Sequence, residues 1–259
     1  MQRDPGRPSI LSKRDLTDLC EVEDSETGTV LRTTFTFVDI HDAAWFGQVP
    51  GIRKYDLTVE DLRQNLLRVP DDTIYPEVTP GITILPDGSD VKSLFIKRPK
   101  LLCLDNPDET ELLPKMLLEE AEVLEFLKSR SHKNLVRYYG CVSRRGRIVG
   151  IALEKHDVIL QYRFEDDPRD LDIDACIEGI RDALDKYDRP VILDYGSCRP
   201  FGKFLLSGGT PGWIDEDYDT SAPRHDEIAL QKIKSWLIRN KPKCGVTDFL
   251  ECGKNIPSP

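Results

Sequence analysis

The passage Asp188–Leu193 most constrains what this chain can fold into, because six residues there carry it from a helix to an acidic turn. Upstream, Ile173, Ile177, Ile180, Leu184 and Tyr187 recur at three- to four-residue spacing behind Asp172 and Asp174. That spacing predicts a core-facing helix over 172–187, with Asp172 or Asp174 as its N-cap. Downstream, Val191-Ile192-Leu193 reads as a short buried strand that ends on Asp194-Tyr195-Gly196. A strand placed there delivers the Asp194 carboxylate to its own C-terminal end, where a hard cation bridging phosphates can be held. Gly196 then lets the backbone turn away at once. Helix and strand leave no length for a loop between them.

With 259 residues, 39% hydrophobic and 32% charged, the chain has the composition of a globular protein with a real core. Its formal net charge of −10 argues against a surface that tracks nucleic-acid phosphates. No stretch approaches the apolar length of a membrane span, and Met1–Pro5 leads into no signal-peptide core. The seven cysteines are widely spaced without a Cys-x-x-Cys pair, which fits reduced thiols of an intracellular protein, cytoplasmic or nuclear. The four histidines have no zinc-site spacing.

The polar residues 1–28 read as a poorly ordered leader. Thr29–Ile40, dense in β-branched and aromatic residues, reads as a strand. Thr58-Val59-Glu60-Asp61 opens a short helix to about Val69. Pro70, Pro76 and Pro80 break the next stretch into a loop. From Gly81, Ile82–Leu85 and Ser93–Lys97 read as neighbouring strands around a Pro86-Asp87-Gly88 turn. Pro114–Arg130 carries the helical stripe Leu117, Ala121, Leu124. Val136–Val142 and Arg147–Glu154 form a hairpin about Ser143–Gly146, and Asp226–Leu237 is a further amphipathic helix.

Several of these segments bring chemistry with them. Lys97 ends the apolar strand Leu94-Phe95-Ile96-Lys97, with Lys92 and Lys100 nearby. Glu120 sits on an acidic helix just before Ala121 and Val123, where one carboxylate would face the sheet while Glu119, Glu122 and Glu125 point elsewhere. His132-Lys133-Asn134-Leu135-Val136 follows. In this order the pieces resemble the protein kinase superfamily: strand lysine, helix glutamate and metal-binding Asp of an Asp-Phe-Gly-type triplet, with Tyr195 for Phe. The resemblance covers about Gly81 to Asn240 and is closest to small, divergent kinase-like proteins of fungal type.

The resemblance implies an α+β, two-lobed kinase-like fold, with an antiparallel N-lobe sheet and a reduced helical C-lobe. The lobes would be 81–156 and 157–243, preceded by a divergent extension over 29–80 and followed by a tail over 244–259. Lys97 and Glu120 would form the ion pair that positions nucleotide phosphates. Leu153 would take the gatekeeper place, and Glu154, Lys155 and His156 the hinge that accepts adenine through backbone groups. Asp194 would hold Mg2+ beside ATP. Gly208-Gly209-Thr210-Pro211-Gly212-Trp213, Asp215-Glu216 and His225–Leu230 resemble the end of an activation segment and the helix after it. The implied activity is ATP-dependent phosphorylation of protein Ser or Thr.

The chain departs from that pattern in three places. No glycine-rich loop precedes Lys97; Thr79-Pro80-Gly81-Ile82 has a single glycine. The His-Arg-Asp segment with its downstream Asn has no room before Asp194, so no catalytic residue is assigned. The later helices of a kinase lobe have no counterpart. These departures imply an impaired kinase with weak nucleotide binding that acts on a protein partner, away from nucleic acid and membrane. Two other readings stand beside it: an active kinase whose catalytic segment is missing from this sequence only, and a non-kinase α+β interaction domain. Asp182, Asp185 and Asp188 lack a His-x-Asp pattern and read as the solvated end of an acidic helix.

Overall fold

The computed structural model describes residues 8, 10–130, 132–166, 170–182, 190–206, 212–215 and 218–242. Its first layer is an antiparallel sheet in sequence order, β1 (Asp18–Glu23), β2 (Val30–Val38), β3 (Ala44–Pro50) and β4 (Leu67–Arg68). The central strand β2 buries Thr33, Thr34, Phe35 and Thr36 in succession, so both faces are covered. Its hydroxyls are satisfied: Thr33 Oγ1 donates to the Ile52 carbonyl and Thr36 Oγ1 to Asp18 Oδ2. Helix α1 (Val59–Asn65) starts at a Thr58–Asp61 capping box and sends Leu62 and Leu66 to a core with Ile10, Phe35, Val49 and Leu57. The short helix α2 (Asp71–Ile74) follows.

Part of the expected leader is therefore structured. Strand β1 lies within 1–28, paired along its length with β2 from Asp18↔Thr36 to Glu23↔Val30. Its six positions are only half-buried or exposed, which is why the segment reads as polar in the sequence.

The second sheet has the order β5-β7-β6, all antiparallel, from β5 (Leu94–Lys97), β6 (Tyr138–Arg144) and β7 (Arg147–Glu154). β6 and β7 are joined through Arg145 and Gly146, both with positive φ (52° and 76°), the backbone of a tight two-residue hairpin. Residues 82–85 do not pair with β5 as neighbouring strands. They run parallel beside β6 instead, with Leu85 N–H donating to the Cys141 carbonyl and Cys141 N–H to the Thr83 carbonyl. Gly140, at φ 137°, makes this approach possible, since a Cβ there would lie 3.0 Å from the Thr83 carbonyl oxygen.

Helix α3 (Pro107–Lys128) crosses this sheet. It begins seven residues before Pro114, because Asn106 caps it by accepting from Asp108 N–H and Pro107 occupies the first turn. Leu113, Leu117, Ala121 and Leu124 face Tyr138, Cys141, Ile148, Ile151 and Leu153 in the main core. Beyond the sheet come α4 (Arg163–Asp166), α5 (Ile173–Asp182) and α6 (Pro223–Asn240). α5 and α6 bury Leu171, Cys176, Ile177, Leu230 and Leu237 between them, closed by the Lys234–Asp174 pair at 2.7 Å. Asp172 is the cap of α5, accepting from Ala175 N–H. The expected end of this helix at Leu184 and Tyr187, the passage through Asp188, and Gly208–Pro211 lie outside the described residues.

Two antiparallel sheets, one crossed by a long helix, and a pair of packed helices make this an α+β protein. Salt bridges join the sheets. Asp42, in a tight turn after β2, reaches Arg98 at 2.6 Å, Arg32 reaches Asp105, and Arg145 reaches Asp71.

Candidate functional site

Lys97 is the last residue of β5, an edge strand of the second sheet, paired in register with Ile151 of the central strand β7. Glu120 lies one helical step before Ala121, on the face of α3 that packs on that sheet, and is 5% exposed. Lys97 Nζ donates to Glu120 Oε1 at 2.6 Å and to Asp194 Oδ1 at 2.7 Å. Three segments distant in sequence thus converge on one ammonium.

Glu120 does more than pair. Its Oε1 also accepts the Tyr195 backbone N–H at 3.1 Å, which ties α3 to the triplet as well as to β5. Burying a carboxylate is costly unless its charge and lone pairs are answered, and here a cation and an amide answer them. Tyr195 fills the place beside it with a 6% exposed ring whose hydroxyl donates to the Ile192 carbonyl, so the Phe-to-Tyr change leaves no orphaned hydroxyl. Burial pushes this phenol up to about 12.

Asp194 faces outward, with 76% of its side chain exposed. Oδ1 accepts from Lys97 and from Gly196 N–H at 2.9 Å, while Oδ2 has no partner among the described residues. Neighbouring protein atoms thin the water around this carboxyl and work to raise its pKa. The Lys97 hydrogen bond, the Gly196 amide and the charges of Lys97 and Lys100 outweigh them and hold it below the usual carboxylate range. Gly196 is confined by the site itself: a Cβ there would stand 3.2 Å from Asp194 Oδ1 and 3.9 Å from Lys97 Nζ.

The short strand before the triplet exists as two backbone bonds. Val136 N–H donates to the Ile192 carbonyl and Ile192 N–H to the Asn134 carbonyl, a parallel bridge. Past the triplet, Arg199 pairs with Glu119, the neighbour of Glu120 on α3. The chain then returns on itself through Gly202 N–H to the Ser221 carbonyl and Ser221 N–H to the Lys203 carbonyl.

The remaining expected residues fall elsewhere. Leu153 is buried in the main core, between Phe95 and Tyr138 in the sheet register. Glu154 spends its N–H on the Arg137 carbonyl and cannot also offer it to a ligand. Lys155 is exposed just beyond β7 and takes no part in the ion-pair set. Glu119–Arg199 and Lys100 were not assigned from the sequence, where nothing marks one acidic or basic residue on a charged stretch above its neighbours.

No group of three His, Cys, Asp or Glu side chains that could hold a metal ion occurs among the described residues. Among these residues Asp194 would bring one carboxylate to a Mg2+ site, alongside oxygens supplied by a ligand, which is how this ion is commonly held with phosphates. No helix among the described residues is long and apolar enough to cross a membrane. The site defines a class: an α+β protein with a buried glutamate and an exposed aspartate sharing one lysine. No protein-family model, curated protein or solved structure matches the chain.

Proposed function

We propose that this chain is a protein kinase-like protein that binds nucleotide weakly through Lys97, Glu120 and Asp194 and, as written, does not transfer phosphate. The observation that carries the reading is the single ammonium held at 2.6 Å by a buried glutamate and at 2.7 Å by an exposed aspartate. That is the arrangement a nucleotide's phosphates and an accompanying cation require: one fixed positive charge and one carboxylate with an oxygen to spare. Glu120 orients Lys97. Mg2+, when bound with the phosphates at Asp194, would supply charge neutralisation.

The chain lacks the group that takes the hydroxyl proton, a loss that costs roughly 10²–10⁴ in rate. Its role is then binding, with a protein partner in an intracellular setting. Calorimetric titration with ATP and magnesium tests the reading. Weak saturable binding should fall about tenfold or more in Lys97→Met, the loss of a charge-assisted contact. Absence of heat from folded protein at millimolar nucleotide would sink it. Robust radiolabel transfer to protein by this same chain, lost in Asp194→Asn, would replace binding by catalysis.

A further inference from the structure

A groove of about 700 Å³ opens between the C-terminal half of α3 and residues 132–139, ending at Glu154. Its floor is apolar and closely packed: Leu124, Val136 and Tyr138 are buried there, with Leu127 and Leu135 half-buried beside them. Its rim has the opposite character to the rest of the chain. Lys128, Lys133 and Arg137 line it, with His132, and Glu154 is the one lining carboxylate among the described residues. The chain as a whole carries a net charge of −10.

The basic groups differ in how they are committed. Lys128 donates to Thr83 Oγ1 at 2.8 Å, near the Glu125 carboxylate that binds the same threonine. The Arg137 side chain has no hydrogen-bond acceptor among the described residues. Its guanidinium stands 5.1 Å from the Tyr139 ring centroid, held at the groove with its donor fork available. A volume of this size falls in the range of ligand-binding clefts, about 300–1,000 Å³.

We propose that this groove docks an acidic peptide segment of a partner protein. An apolar side chain of the segment would lie against the half-buried Leu127 and Leu135, and its carboxylates would meet Arg137, Lys133 and Lys128. Charge complementarity selects this occupant, since an arginine-centred basic rim around an apolar floor is how acidic motifs are recognised. A nucleic acid shares the negative charge but would be repelled by the remainder of this acidic surface. The assignment is independent of nucleotide binding, because no residue of the Lys97–Glu120–Asp194 set lines the groove.

Fluorescence polarisation of the full chain tests it, with a labelled decapeptide carrying Leu-Phe between two runs of Glu. Saturable binding is expected, weakened about tenfold by Arg137→Glu and reduced at high salt. It should also fall when Leu-Phe is replaced by Ser-Ser, and Lys97→Met should bind as the unmodified chain does. Lys133→Glu serves as a second rim variant if Arg137→Glu fails to fold. No saturable binding to folded protein, or equal binding by the folded rim variants, overturns the proposal. Loss in Lys97→Met would place the peptide at the triad instead. Tighter binding of an oligouridylate of equal charge, lost in Arg137→Glu, would assign the groove to nucleic acid.

Discussion

Asp42 and Arg98 meet at 2.6 Å across the boundary between the two sheets, and Arg98 directly follows Lys97 in the chain. Asp42 is 8% exposed at its side chain, and Arg144 Nε reaches its second oxygen at 3.5 Å. The turn that presents it is tight, with Asp39 Oδ1 accepting the His41 and Ala43 amides and Asp42 itself at φ 57°. Arg145 adds hydrogen bonds to the His41 and Asp42 carbonyls. One turn of the first sheet is thus gripped by three arginines of the second.

Asp42→Asn is therefore expected to destabilise the protein by about 1–3 kcal/mol, the range for a hydrogen bond to a charged group in a sheltered place. The denaturant midpoint measures it. Because Arg98 anchors the end of β5, Lys97 should also become several-fold more reactive to an amine-acylating reagent, followed by mass spectrometry, with exposed Lys92 unchanged as the reference. Equal Lys97 reactivity in both proteins would show that the two sheets are not coupled at this residue.

At Gly196 the space argument is direct. The Cβ of Gly196→Ala would press on Asp194 Oδ1 at 3.2 Å, a contact that a shift of a few tenths of an ångström relieves. Stability should change by less than about 1 kcal/mol, as expected where neighbours can yield. Gly196→Val, with further atoms directed among the same charges, should remove nucleotide binding while the melting temperature stays near that of the Ala variant. Undiminished binding by the folded Val variant would place the nucleotide elsewhere.

Acid stability should depend on Glu125. Partial burial works to raise its pKa, but the amide and hydroxyl of Thr83, the Tyr138 hydroxyl and Lys128 outweigh this and lower it from 4.5. A carboxyl with a depressed folded-state pKa contributes stability above its unfolded value and loses it as pH falls through the folded value. The chain should thus lose stability below about pH 4.5 as this network protonates, by the same linkage. Glu125→Gln should flatten the curve there, leaving the neutral-pH slope alone. Matched urea titrations across pH 3–6 decide the matter, and identical slopes below pH 4.5 would exclude the mechanism.

Leu237, fully buried between α5 and α6, tests the last layer. Leu237→Ala should cost about 2–5 kcal/mol, the range for such truncations. Trp236, which stacks near Phe164 at 6.3 Å, should report the loss by its fluorescence. An unchanged unfolding midpoint would mean that these helices contribute little to the cooperative unit.

Much of this architecture could be read from periodicity. The stripe of α3 and the β-branched run of β2 bury what their spacing said they would, while among the described residues α5 buries Ile177 and α6 buries Leu237, with Ile173, Ile180, Ile233 and Trp236 half-buried beside them. The meeting of Glu120 and Asp194 on Lys97 was expected only through the kinase resemblance, since they lie 23 and 97 positions from it and no local pattern joins them. β1 was not legible, because Asp18-Leu19-Cys20-Glu21-Val22-Glu23 carries charge at alternate ends of a half-exposed strand and borrows its order from β2. The partner of 82–85 was missed because a parallel pairing beside a positive-φ glycine has no local signature. Contacts such as Asp42–Arg98, across 56 positions, depend on how two sheets are set together, which side-chain pattern alone does not encode.

Pro190 is held from two sides. Asn134 Nδ2 donates to its carbonyl at 2.9 Å, and its ring lies so close to Gly179 that a Cβ there would come within 2.9 Å. Ile192 is bonded on both sides to 134–136, and Asp194 and Tyr195 are fastened to β5 and α3. The address of the Asp194 carboxylate is therefore written by its spatial neighbours, residues 134–136 on one side and Lys97 and Glu120 on the other.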